Sequence, residues 1–346
     1  MTSTIEQPQI LEPHTEWTRP DVSDAREWTM VLTNLEKQEL DTALHIARAK
    51  STDLLQIGKA DFPLPTLGKR LEAFNDMLIN GRGFGMIRGV DRTRYNNDEM
   101  CVIYWGVGAH LGKPWAQNKH GHLLGDVTDQ GKRGGDLNAR GNEIGEDALP
   151  FHCDGSDLVG LLCLARPASG GLSMVANSVK IHNDLVRDRP DIAAEFYKPQ
   201  PHDFRGEEAA GAKPWYMMPV FTAHEGRLFI RYIGRYIEAS QRHAEAPRLT
   251  PLAKEGLALI DQMANDPKNN IEMDFQPGDM QFVNNYHVFH SRSAYKDDRP
   301  AGKIRHLKRL WLETTLIPSK PKWFQNRVGL HWGQKPSISR LDAAAS

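Results

Sequence analysis

Apolar positions along this chain fall into short runs rather than long stripes. A polar, proline-punctuated stretch at 13–20 reads as an extended arm, and residues 23–50 carry helical character. Thr66 precedes Leu67, Leu71, Phe74 and Leu78 at helical spacing, with Gly81 as a stop, which predicts a capped amphipathic helix. Residues 83–90 read as a strand and 98–111 as a helix ended by Gly112 and Pro114. Strand signals then dominate at 149–154, 158–165 and 172–176, with a turn at Ser169, Gly170 and Gly171. Ser178 is expected to cap a helix over 179–187, Pro190 to open another, and Thr250 with Pro251 to open a third reaching about 264. Further strands are expected at 220–221, at 228–233, at the alternating Ile271, Met273 and Phe275, at 280–283 behind the Pro277-Gly278-Asp279 turn, and at 306–314. Short strands around a few helices predict a mainly β protein with helical additions, a β-sandwich or jelly roll.

The pattern breaks between 121 and 147, where Gly, Asp, Asn and Arg replace apolar periodicity. A structureless insertion of that length inside a compact domain reads as a functional lid. The expected organisation is an N-terminal arm and helix at 1–60, then one elaborated domain at 61–346 carrying the insertion.

Charge narrows the partners. Lys and Arg total 43 against 44 Asp and Glu, a formal charge of −1, so no global field draws the chain to nucleic acid or anionic lipid. No early apolar segment resembles a secretory signal, and the longest apolar run, 158–165, is far too short to span a bilayer. A cytoplasmic protein with a small-molecule partner is expected, and a homo-oligomer is allowed. Three cysteines, Cys101, Cys153 and Cys163, form no CxxC pair and suit a reducing compartment, with Cys153 expected to be packed rather than nucleophilic.

The sharpest local chemistry is His152-Cys153-Asp154 within a predicted strand. Residues two apart on a strand share a face, so His152 and Asp154 point into one cavity and can chelate one ion together. His182-Asn183-Asp184 has the same spacing on a predicted helix, where the two side chains diverge, and it should hold no metal. His120 and His122 lie in the polar loop without a neighbouring carboxylate. A two-histidine, one-carboxylate facial set needs a further histidine from a distant strand, for which 284–292 offers His287 and His290.

The segments LPFHCD, ASGGLS, GDMQFVNNYHVFHSR and RHLKRLWLE together resemble the TauD/TfdA (taurine dioxygenase-like) family of Fe(II)/2-oxoglutarate oxygenases, over about 83–316. The resemblance implies a double-stranded β-helix core, iron bound by His152, Asp154 and His290, and 2-oxoglutarate and O2 as co-substrates. It implies oxidation of a substrate C–H bond, by default hydroxylation, with release of succinate and CO2. Desaturation or cyclisation of a natural-product intermediate is the alternative with the same cofactors. Read as a strand, 305–311 puts Arg305, Leu307, Arg309 and Trp311 on one face, which suits a cavity wall. The resemblance assigns the distal carboxylate of 2-oxoglutarate to Arg309, with Ser173 as a hydroxyl donor and Arg305 nearer the iron or the substrate. Substrate contacts are expected from Arg231, Trp215 and Tyr216, with Arg235 a further candidate. An inward Arg231 calls for an anionic partner, hence a small organic acid or amino-acid-like substrate. A zinc hydrolase would leave the 2-oxo acid anchors unexplained, a non-catalytic binding protein should have lost ligands, and a halogenase would lack the carboxylate of Asp154.

Overall fold

The computed structural model describes residues 8–325 and 335–339, so the ends of the expected 1–60 and 61–346 units and the stretch 326–334 lie outside the described residues. In chain order the strands are β1 Thr29–Val31, β2 Phe84–Arg88, β3 Lys113–Trp115, β4 His122–Val127, β5 Leu149–His152, β6 Leu158–Ala165, β7 Ser169–Gly170, β8 Ser173–Asn177 and β9 Pro199–Asp203. They continue with β10 Trp215–Pro219, β11 Phe221–His224, β12 Arg227–Ile230, β13 Asn270–Met273, β14 Met280–Asn284, β15 Val288–Arg292, β16 Tyr295–Lys296, β17 His306–Glu313 and β18 Ser337–Ile338. The helices α1 Asn34–Lys50, α2 Leu67–Asn80, α3 Asn97–Leu111, α4 Ser178–Asp188, α5 Pro190–Tyr197, α6 Gly234–Ala239 and α7 Pro251–Asn265 interrupt them.

A large sheet runs β1-β2-β14-β6-β17-β4-β18 with β3 on β17, and a smaller one runs β13-β8-β15-β5. Strand alternation makes each sheet two-sided. Phe84, Val159, Val283, Leu307 and Trp311 of the large sheet pack with Val175, Ile271, Met273 and Val288 of the smaller one, the inner layer of a jelly roll. On the large sheet's outer face, Leu162, Phe282, Leu310 and Leu312 meet Leu40, Leu71, Phe74 and Tyr104 of α1 to α3. On the smaller sheet's outer face, Phe151, Ala176 and Phe289 meet Val179, Phe196, Leu257 and Ile260 of α4, α5 and α7. The result is helix, sheet, sheet, helix, with β17 in the middle of the large sheet. Gly160 permits the tightest approach there, since a Cβ would lie 2.5 Å from the Tyr104 hydroxyl and 2.6 Å from the Phe282 ring.

Several elements depart from the sequence reading for identifiable reasons. The helix expected from 23 begins at Asn34, behind a capping box between Thr33 and Glu36, and β1 occupies Thr29–Val31 because it pairs in parallel with β2. Thr66 makes no side-chain cap; the Glu39 carboxylate accepts from the Thr66 and Leu67 amides instead. Asn177, not Ser178, caps α4. The loop read as 121–147 contains β4, whose partner β17 supplies the pairing that its own polar sequence does not advertise. Strand β12 ends at Ile230, so Arg231 follows it and Arg235 stands on α6. The hairpin of β9 and β10 has no counterpart in the sequence reading.

Candidate metal centre and its cavity

His152 closes β5, and antiparallel pairing sets it opposite His290 of β15, the ring centroids 4.3 Å apart. Asp154 lies just past the strand, its amide donating to Asn285 Oδ1 at 2.9 Å, while Asn285 Nδ2 donates to the Ser156 carbonyl at 2.9 Å. One ligand atom from each of His152, Asp154 and His290 lies within 4.8 Å of the others, the one such cluster of metal-ligating side chains among the described residues. His287 of the same segment turns away to Glu12 Oε2 at 3.3 Å. His182 is buried between Asn183 Oδ1 and the Tyr197 hydroxyl, while Asp184 pairs with Lys180, so this second triplet diverges as helix geometry requires.

The donor set fits a divalent ion. His152 Nδ1 lies 2.8 Å from the Pro150 carbonyl, which fixes the proton there and leaves Nε2 as a donor of electrons. Burial lowers the pKa of both imidazoles, His290 to about 3, so both are neutral at physiological pH. Burial pushes the Asp154 carboxyl up, but Arg309 and the two histidines outweigh it and hold the group well below the usual carboxylate range. Trp311 Nε1 donates to Asp154 Oδ2 at 2.9 Å and orients it. Two neutral nitrogens and one carboxylate suit non-haem iron and leave positions for co-substrate and O2.

Two cavities meet at this triad. The smaller is lined by Ser173, His290, Arg292, Arg305 and Arg309 with His152 and Asp154. Ser173 Oγ donates to Gln281 Oε1 at 3.1 Å. Arg305 is buried, its Nη1 without a hydrogen-bond partner, and burial together with Arg292 lowers its pKa to about 10. Arg309 is otherwise engaged: Nε donates to Gln117 Oε1 at 2.8 Å and Nη1 to Asp154 Oδ2 at 3.3 Å. The larger cavity, about 180 Å³, is lined by His152, Asp154, Arg140, Arg231, Arg235 and Tyr236 among others.

Arg231 thus reaches the cavity, whereas Trp215 is not among its lining residues and carries Lys213 on its ring, 4.8 Å from the centroid. Tyr216 faces a side recess, its ring 5.1 Å from that of His202. Gln117, Arg140, Asn285 and Tyr236 escaped the sequence reading, because each is a polar residue in a non-periodic segment and only long-range packing brings it inward. Cys153 is buried, its thiol pushed up to about 11 by burial, and it accepts the Tyr232 amide at 3.0 Å, so it is packed as expected.

Arginines of this region also hold the loop between β4 and β5. Arg235 donates to the Gly134 carbonyl at 2.7 Å, and Arg292 to the carbonyls of Gly145 at 2.7 Å and Asp147. No helix among the described residues is long and apolar enough to cross a membrane.

Comparison with known proteins agrees with this geometry. The family described as taurine catabolism dioxygenase TauD, TfdA family matches residues 49–311. FR-33289 synthase of Streptomyces rubellomurinus (strain ATCC 31215) is 33% identical over 328 residues, covering 92% of this chain and 94% of its own. The taurine hydroxylase-like protein SAT17 of Stachybotrys chartarum (strain CBS 109288 / IBT 7711) is 23% identical over 303 residues, covering 85% and 77%. Among solved structures, asparagine oxygenase with Fe(II), 2S,3S-3-hydroxyasparagine and succinate aligns at TM-score 0.65 and 18% identity, over 85% of this chain and 97% of its own. The non-haem iron oxygenase OrfP with Fe and alpha-ketoglutaric acid aligns at TM-score 0.62 and 18% identity, over 82% and 93%. These two structures share the fold.

Proposed function

The chain belongs to the TauD/TfdA family of Fe(II)- and 2-oxoglutarate-dependent dioxygenases, and from that premise we propose that it hydroxylates a small organic acid or amino-acid-like molecule, with release of succinate and CO2. The observation that carries this reading is the set of two neutral imidazoles, His152 and His290, and the Asp154 carboxylate standing where a co-substrate recess and a larger cavity meet. Bound iron, with 2-oxoglutarate and O2, supplies the oxidation of a C–H bond coupled to decarboxylation of the co-substrate. Everything else falls to this chain's side chains.

In this reading His152, Asp154 and His290 hold the metal, and Trp311 keeps the Asp154 carboxylate turned toward it. The distal carboxylate of 2-oxoglutarate goes to Arg305 with Ser173, an exchange of roles with Arg309 relative to the sequence expectation. Support comes from hydrogen bonding: Arg305 Nη1 has no partner, whereas Gln117 and Asp154 already occupy Arg309. A planar guanidinium can then donate two parallel charge-assisted bonds to the carboxylate. The same reading takes 61–346 as the dioxygenase domain. An acidic substrate is supported by Arg231 and Arg235 in the cavity wall, and an amine on it by Glu238 and Asp261.

Anaerobic titration with Fe(II) and then 2-oxoglutarate tests the proposal through a weak visible charge-transfer band, followed by succinate assay on admitting O2. Both signals are expected. Iron uptake without either signal would refute the co-substrate assignment.

A further inference from the structure

The N-terminal arm carries one strained residue. Glu12 adopts φ 42° and ψ 45°, a left-handed conformation that is uncommon for a residue with a side chain and is restricted further by the following Pro13. Such backbone persists where its surroundings over-determine it. The Glu12 carbonyl accepts the Thr15 amide and hydroxyl, both at 2.9 Å, and its side chain turns inward to only 7% exposure. Oε2 accepts the Leu228 amide at 2.9 Å and lies 3.3 Å from His287 Nε2, while Oε1 lies 3.7 Å from Arg227 Nη1. Burial pushes the Glu12 carboxyl up, but His287, Leu228 and Arg227 outweigh it and hold the group below its ordinary value, charged at physiological pH. The His287 ring is buried too, and its Nδ1 has no hydrogen-bond partner, so Glu12 alone fixes the ring among the described residues.

Both elements that this carboxylate joins lead to the metal centre. His287 belongs to the turn at 285–287 between β14 and β15; Asn285 of that turn accepts the Asp154 amide, and β15 carries His290. Leu228 belongs to β12, and two residues past the end of that strand the Tyr232 carbonyl accepts the Cys153 amide at 2.9 Å, between His152 and Asp154. We propose that Glu12 is a positioning residue of the metal centre: by clamping β12 to the β14–β15 turn, it fixes Asp154 and His290 relative to each other. The inference rests on the reading of His152, Asp154 and His290 as the metal ligands. Without the carboxylate the Leu228 amide and the His287 ring are buried donors with no acceptor, and a shift of either element toward water relieves them. Groups that orient metal ligands from outside commonly change metal affinity by about 10–100-fold. Glu12 acts one contact farther out, so the lower end of that range is expected.

Titration of the metal-free protein with Co(II), followed through its visible ligand-field bands, compares the wild type with Glu12→Ala and Asn183→Ala at a temperature where thermal melts show each to be folded. Asn183 holds the same arm from α4, accepting the Leu11 amide at 3.1 Å and donating to the Leu11 carbonyl at 2.8 Å. Its loss loosens the arm and leaves the Glu12 carboxylate in place. Glu12→Ala should weaken Co(II) binding by about tenfold and shift or dim the bands, whereas Asn183→Ala should leave affinity and bands unchanged even where its melting temperature falls. A merely structural role for Glu12 would lower the melting temperature alone. If Glu12→Ala does not fold, Glu12→Gln replaces it, keeping an acceptor for the Leu228 amide but giving up the charge beside His287, with a smaller loss in the same direction. Wild-type affinity and bands in the folded Glu12 variant, or an equal loss in Asn183→Ala, would overturn the inference and leave the metal site standing. Failure of the wild-type protein to take up Co(II) would overturn both.

Discussion

Arg305, just before β17, and Arg309 within it stand four residues apart and both line the smaller cavity, yet their surroundings give them different work. Arg305→Lys retains charge but loses the planar pair of donors, so the Michaelis constant for 2-oxoglutarate should rise by about tenfold or more with iron binding unchanged. Arg309→Lys should disturb that constant less, because its guanidinium is spent on Gln117 and Asp154. Steady-state kinetics on both variants decides. A larger rise in Arg309→Lys would return the carboxylate to that residue. The shared face of the two was legible in the alternation of residues 305–311; their depth was not, because depth depends on Gln117 and Ser173, distant in sequence.

At the scale of elements, legibility followed periodicity. Helix α4 and strand β17 stand out by spacing alone, and the divergence of His182 from Asp184 could be reasoned before any contact was seen. LFIRYIGRYI carries apolar residues with neither a two- nor a four-residue beat, so the end of β12 and the start of α6 were hidden. Pairing of β5 with β15, which sets His152 opposite His290, is a long-range fact that local sequence cannot encode. The best-packed element is β14, where Phe282 is fully buried between Phe74, Tyr104 and Gly160. Phe282→Ala should lower the unfolding free energy by about 3–5 kcal/mol. Urea unfolding would register this as a lower midpoint with unchanged slope; a shift below about 1 kcal/mol would mean that the helical layer closes over the cavity.

Across the whole molecule, the layer of α4, α5 and the β9–β10 hairpin stores two fully buried neutral histidines. Burial lowers the pKa of His182 to about 4 and of His202 to about 3. An unfolded chain protonates each near 6.5. Between these limits the unfolded state binds more protons, so this stabilisation is complete above about pH 6.5 and is lost as pH falls toward 4. Each histidine contributes a slope of up to about 1.4 kcal/mol per pH unit in that window. Denaturant unfolding of the metal-free protein at pH 4.5–7 should show that slope, and His182→Gln should make it shallower by about one proton. An unchanged slope in the variant would exclude His182 as a source.

The stitch between Cys153 and Tyr232 has a geometric outcome. The Cys153 amide donates to the Tyr232 carbonyl at 2.9 Å, and Cys153 Sγ accepts the Tyr232 amide at 3.0 Å. Cys153 lies between two metal ligands, and Tyr232 is the neighbour of Arg231. The metal and the proposed anion anchor are therefore the two jaws of one caliper, its opening set by a main-chain contact rather than by the loop above. A substrate seated against Arg231 is measured from its charged end, and the carbon that is oxidised is the one at the opposite jaw. Lengthening such a substrate by one methylene should leave oxidation the same number of bonds from the anion, as NMR of the products would show. Oxidation that moves one carbon farther from the anion would mean that the jaws yield.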